Sequence, residues 1–318
     1  MKLEEIYNLI IKKGMEKDPR TKKELKNELK RIRREYRTLK IEDKKYFDKE
    51  KFKHPYADTR ILYMGDRKKH IRTIMAGIDI SGEELLTAYL LNEKGAGIDL
   101  VMSHHPAGRA LSNLHGVMHI HTDILHRLGI EMDIAKSIMK ERIEEVSRGF
   151  SKLNHQRSVD IARLLDISFI CAHTPVDNHV VDFLEKLFDR KKPARVRDVL
   201  RLLKTIPEYQ DAMVKGAGPN LIAGKENNKT GRIFVDMTGG TEGSKKVFAR
   251  LSQIGVGTIV AMHLSEEHLK KAKAEFINVI VAGHIASDAL GLNLILDELI
   301  KRYDFNIIPC SGFARVKR

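Results

Sequence analysis

The chain has 318 residues, with 57 Lys and Arg against 43 Asp and Glu, a formal charge of +14, and 42% apolar residues. That length allows two domains or one large one around a packed core. No apolar run reaches the roughly eighteen residues of a membrane span, and no hydrophobic signal segment opens the chain. Neither Cys171 nor Cys310 sits in a C-x-x-C pattern. The expectation is a cytoplasmic protein with no membrane partner, whose cysteines are small core residues. Residues 1–54 predict a basic helical arm, with 19 basic and 11 acidic side chains. Leu3, Ile6 and Ile10 share one helical face, and Gly14 and Pro19 end it. Thr21 to Glu24 has the form of a capping box. Leu25, Leu29, Ile32, Tyr36 and Leu39 then recur at spacings of 4, 3, 4 and 3, a seam expected to pack on the first helix as a hairpin. Lys23, Lys26, Lys30, Arg34 and Arg37 line a neighbouring face, which is either a solvated surface or a contact for nucleic acid or an acidic protein.

From residue 70 strands and helices alternate, which predicts an α/β domain over 55–318 with helices covering a largely parallel sheet. Strands are expected at 71–80 and 98–103 with a helix at 83–92 between them, then a mostly helical insertion at about 107–166. A strand at 167–172 leads to a helix from about 180 to 188. Residues 221–223 and 232–236 flank a polar, glycine-ended turn and read as a hairpin. Helices near 243–254, 265–274 and 287–300 then alternate with strands near 257–263, 278–282 and 305–310. Two stretches echo each other. Thr73 leads through Ser81 and two glutamates to a helix, a strand and His104-His105; Thr258 leads through Ser265 and two glutamates to a helix, a strand and His284. The echo predicts two related half-domains whose strand ends converge on one site.

The chemistry-bearing residues gather at those strand ends. His104 and His105 follow an apolar strand, and adjacent side chains on extended backbone point to opposite sides. Neutral imidazoles placed so can each reach a different metal, zinc, manganese or iron. Asp177 lies between His173 and His179 after another apolar strand; it either bridges two cations or caps a helix. His284 and Asp288, at i and i+4, share a helix face, where they bind metal or the acid merely favours the helix start. His173 and His179 are candidate proton relays. Gly239, Gly240 and Gly243 follow a strand, and their amides either hold a phosphate or simply make a tight turn.

Four segments, Asp99–Pro106, Ala172–Asp177, Thr238–Ser244 and Ala282–Asp288, resemble the Nif-three-like dinuclear-metal proteins, also known as GTP cyclohydrolase I type 2 homologues. The resemblance covers roughly residues 58–106 and 167–313. It implies two metals on His104, His105, Asp177, His284 and Asp288, and a toroidal homohexamer built from trimers with the sites facing a central cavity. The family usually carries Glu where Asp288 stands. The insertion at 107–166, with His115, His119, His121 and His126, is longer than in compact members, and residues 1–54 have no counterpart. The expected function is a metal-dependent hydrolase of a phosphate-containing or nucleotide-like small molecule. The rival is a non-catalytic metal-binding oligomeric scaffold or regulator that meets nucleic acid or protein through its basic arm. An open coordination position beside a pocket separates them.

Overall fold

The computed structural model describes residues 1–318. Nine strands form two sheets: β1 (Arg60–Tyr63), β2 (Thr73–Gly77), β3 (Leu100–Ser103), β4 (Phe169–Cys171), β5 (Asn220–Ala223), β6 (Arg232–Asp236), β7 (Val256–Ala261), β8 (Asn278–Val281) and β9 (Asn306–Pro309). The first sheet has the order β1-β4-β3-β2-β9 and is parallel except for β1. The second has the order β5-β8-β7-β6 and is parallel except for β5. The helices are α1 (Leu3–Glu16), α2 (Lys22–Thr38), α3 (Gly82–Glu93), α4 (Gly108–Ser112), α5 (His119–Leu128), α6 (Met132–Ser151), α7 (Arg157–Leu164), α8 (Thr174–Lys191), α9 (Val196–Leu203), α10 (Pro207–Val214), α11 (Phe248–Gln253), α12 (Glu266–Ala274) and α13 (His284–Ile300).

The internal echo is structural. β2–α3–β3 and β7–α12–β8 are both strand–helix–strand units whose strands lie side by side and parallel. In the first, the Ser81 backbone amide donates to Glu84 at 2.8 Å and closes a capping box. The hairpin expected between residues 221 and 236 does not form. β5 pairs antiparallel with β8 and β6 pairs parallel with β7, so these two neighbours in sequence occupy opposite edges of their sheet. The polar turn between them is instead held by α9: Val196 and Arg197 donate their amides to Asn228 and Glu226 carbonyls at 3.0 and 2.9 Å.

A pair of helices fills the space between the sheets. α8 and α13 pack on each other, and their apolar residues divide between two cores. Val176, Leu292 and Ile295 join Ile74, Met102 and Ile170 of the first sheet; Val180, Leu184 and Leu290 join Val260 and Ile280 of the second. Both helices start earlier than the sequence pattern suggests, at Thr174 and His284 instead of about 180 and 287. Pro175 accounts for the first, because a proline is tolerated in a helix's opening turn, where its missing N–H has no partner to lose.

The arm divides into two unlike parts. α1 is apolar on several sides, and it does not form the expected hairpin with α2. Leu3, Ile6, Leu9 and Ile10 enter the core of the first sheet and α13. Full burial of each such side chain is worth about 1.5–3 kcal/mol, so α1 is a structural member of that core. Gly14 lets it approach closely: a Cβ there would lie 2.5 Å from the Pro175 Cβ. α2 buries only Leu25 and Ile32, and its Tyr36 packs against Phe47 and Phe52 at ring separations of 5.0 and 5.1 Å. Its capping box is present, with the Thr21 amide donating to Glu24 and the Glu24 amide to Thr21 Oγ1.

The insertion is no surface ornament. Leu114, Met118, Leu125 and Met139 share a core with Phe234, Phe248, Ile259 and Val279 of the second half, while α7 returns to pack near α3. His121 is 5% exposed. No helix is long and apolar enough to cross a membrane.

Candidate metal centre

The two helices between the sheets begin where β4 and β8 end, so their first turns meet the loop after β3. That places Asp177 in the first turn of α8 and His284 and Asp288 at the start of α13, against His104 and His105. Helix N-termini favour negative charge, which suits Asp177 in the first turn of α8; Asp288 lies one turn into α13. All five residues come together. His104 Nε2 lies 3.4 Å from Asp177 Oδ1 and 3.4 Å from Asp288 Oδ1. His105 Nε2 and His284 Nε2 lie 3.3 and 3.5 Å from Asp288 Oδ2.

These separations make no hydrogen bonds. His104 Nε2, Asp177 Oδ1 and both Asp288 oxygens are buried without a partner. Buried polar atoms left so are costly, and buried carboxylates more than most. A cation resolves the deficit. Ligands about 2.1 Å from a tetrahedral ion stand about 3.4 Å from each other, which is the spacing found here. The five residues therefore fit two ions: one among His104, Asp177 and Asp288 Oδ1, the other among His105, His284 and Asp288 Oδ2.

The outer partners orient the rings for this. His104 Nδ1 donates to the Ala172 carbonyl at 3.1 Å, and His105 Nδ1 to Asp79 Oδ1 at 2.6 Å, which turns each Nε2 toward the centre. Asp79 and Asp58 were not found by sequence reasoning. Asp79 follows β2 as His104 follows β3, so its strand-end position was a usable signal; Asp58 lies in a loop with none. The buried charges of the cluster suit a cation. Burial pulls His104 down to about 4 against the attraction of Asp288. Burial also opposes a proton on His105, but Asp288 and Asp79 outweigh it and hold this imidazole at about 10. Burial lifts Asp177 to about 8. For Asp288 burial is overcome by His104, His105 and His284, which hold it far below the usual carboxylate range.

The other candidates separate. His173 stays at the centre, its ring 4.8 Å from that of His104. Its Nδ1 donates to Asp58 Oδ2 at 2.9 Å, and Thr174 Oγ1 donates to the same oxygen at 2.6 Å. His179 does not join it. One turn further along α8, its Nδ1 donates to the Pro175 carbonyl at 2.7 Å, and it faces a different cavity, beside Lys17 and Asp182. Two residues beyond Asp177 is about 200° around a helix, and that rotation carries His179 away.

A cavity of about 60 Å³ opens over the centre, lined by His173, Asp177 and His284 on one side and Asp236, Thr238 and His263 among others opposite. The glycine loop forms part of its wall at Gly240. Gly239 and Gly240 have φ of +105° and +85°. A Cβ on them would come within 2.4 Å of His121 Nε2 and 2.7 Å of Val117 Cγ1. They let the loop lie flat on the insertion, where His121 Nε2 donates to the Thr241 carbonyl at 3.0 Å. A Cβ on Gly243 would meet the same imidazole at ordinary contact distance. The next helix, α11, begins only at Phe248, so these glycines do not open it as a phosphate cradle at a helix start requires. His263 and Glu242 also went unnoticed in the sequence. They pair at 3.3 Å, and the His263 ring stands 4.8 Å from that of His284.

No family model matches the sequence, and no curated protein matches it. Solved structures do. The chain is similar to a NIF3 superfamily protein from Sphaerobacter thermophilus, with 28% identity, a TM-score of 0.70, and coverage of 81% of this chain and 92% of that one. It also aligns with reduced HcgD from Methanocaldococcus jannaschii at 16% identity and a TM-score of 0.48, over 78% of this chain and 87% of that one. The doubled strand–helix–strand unit and the similarity to the Sphaerobacter thermophilus protein together show that the chain has a NIF3-like fold.

Proposed function

We propose that the protein is a metal-dependent hydrolase that acts on a phosphate-containing or nucleotide-like small molecule with two divalent ions, zinc fitting the ligand set best. The carrying observation is the division of Asp288, whose two oxygens face two separate ligand sets. Each set supplies three protein ligands, which leaves a tetrahedral ion one open position, and the cavity lies beside it. Closed four-ligand sets would have favoured the scaffold reading.

Bound ions would supply an acidified water and a clamp on a substrate oxygen. The chain's own groups do the rest. Asp58 fixes the Nδ1 proton of His173, so the Nε2 lone pair is the one free to take a proton at the cavity. No Lys or Arg lines the cavity, so a phosphate there would take its counter-charge from bound ions and the lining imidazoles, His173 and His263 among them. Thr238, Thr241 and Asp236 offer hydrogen bonds to a polar organic portion. We propose the homohexamer together with this reading, to be read by light scattering.

The test is metal analysis of the purified protein joined to a screen of phosphoesters and nucleotides. Two ions per chain and turnover that His173→Ala abolishes while both ions stay bound are the expected results. A fully loaded protein that turns over none of these compounds would favour the scaffold.

A further inference from the structure

α2 is built in three longitudinal strips. Its buried strip, Leu25 and Ile32, is 4% and 5% exposed and seats the helix on the body. Its acids occupy a second strip and are all engaged on it: Glu24 closes the cap with Thr21, and Glu28 and Glu35 both bind Arg31 at 2.7 and 3.3 Å. The third strip is Lys23, Lys26, Lys30, Arg34 and Arg37, all exposed. At 100° and 1.5 Å per residue these five fall within about 80° of one face and span about 21 Å. None of them forms an ion pair, while Arg31, on the acidic strip, forms two.

The segment after the helix folds back onto it at Tyr36. Phe47 and Phe52 pack on Tyr36, and Arg33 Nη2 donates to the Phe52 carbonyl at 3.1 Å. Tyr46 is 78% exposed, with Lys45 Nζ 4.7 Å from its ring centre. An exposed ring gains nothing from water, and a base can stack on it.

We propose that this face binds single-stranded nucleic acid, with the phosphates along Lys23–Arg37 and a base on Tyr46. The segregation of every helix acid to another strip and the exposed aromatic nearby in sequence distinguish it from an ordinary solvated lysine face. The site is separate from the metal centre and does not depend on the reaction there.

The test is fluorescence anisotropy of a labelled mixed-sequence single-stranded DNA of about twenty nucleotides across a salt series. The variant Lys26→Gln, Lys30→Gln, Arg34→Gln, Arg37→Gln removes four cations, so the slope of log affinity against log salt should flatten by about 3, and low-salt affinity should fall at least about tenfold. Tyr46→Ser should weaken binding and leave the slope in place. A control, Lys225→Gln, Lys229→Gln, Lys270→Gln, Lys273→Gln, removes the same charge from exposed sites elsewhere and should change affinity less than about threefold. Unchanged metal content and melting temperature would show that the variants remain folded. Equal losses in the two fourfold variants would overturn the proposal, since net charge alone would then explain binding. Tighter binding to anionic vesicles or to duplex DNA than to the single strand would overturn it as well.

Discussion

Replacing Asp288 by Asn keeps the side chain's shape and removes its charge, and the arrangement of the centre dictates an unusual outcome. Asp288 is 0% exposed, and its two oxygens stand 3.3–3.5 Å from three imidazole nitrogens belonging to both ligand sets. Removing one partner of a buried charge interaction costs about 3–5 kcal/mol, or about two to three and a half decades in affinity. Because one carboxylate serves both sets, Asp288→Asn should weaken both ions together by that amount. Asp177→Asn touches only the set of His104, and His284→Ala only that of His105, so each should lose one ion and keep the other. His179→Gln, outside both sets, should keep two. Calorimetric zinc titration with elemental analysis after dialysis reads all four variants, and circular dichroism checks their folding. Retention of one ion at wild-type affinity by Asp288→Asn would show that this carboxylate does not bridge.

Two further outcomes follow from the same geometry. In the metal-free protein His105 holds its proton up to about 10, so an incoming ion must displace it. Metal affinity should rise with pH up to that value, by as much as tenfold per unit, and calorimetry in buffers of different ionisation enthalpy should register proton release at pH 8. The sign for stability is the opposite: the folded-state value lies above the unfolded one near 6.5, so the contribution of His105 to metal-free stability is complete below that and lost as pH rises through about 10. Gly14→Ala forces a methyl group to 2.5 Å from the Pro175 Cβ and should cost about 1–3 kcal/mol, read as a lowered melting temperature. An unchanged melting temperature would show that α1 can back away from α8 freely.

The five clustered residues were legible in the sequence because each one stands just after an apolar strand or in the turn of helix that follows, a local pattern. His104, His105, Asp177, His284 and Asp288 could be named without knowing which strands were neighbours. What depended on long-range pairing was not legible. β5 and β6 read as a hairpin because the residues between them favour a turn, and nothing local reveals that β5 pairs with β8. The face of α1 could be drawn from Leu3, Ile6 and Ile10, but its partner, the core of the first sheet and α13, lies some 60 to 290 residues further on. Helix α9 was available in the spacing of Val196, Val199, Leu200 and Leu203 and was passed over. His173 and His179 have similar local settings, and only the rotation of α8 separates the one at the centre from the one outside it.

Each candidate ligand set draws on both halves of the molecule. His104 and Asp177 come from the first half but need Asp288 of the second, and His284 and Asp288 need His105 of the first. Neither strand–helix–strand unit, if it once existed alone, carried this centre; it arises only where two units join. Ions held there would thus be cross-links, non-covalent rivets across the seam between the two halves. A chelator should do more than empty the site: it should loosen one half against the other, with α8 and α13 the first helices to admit exchange with solvent.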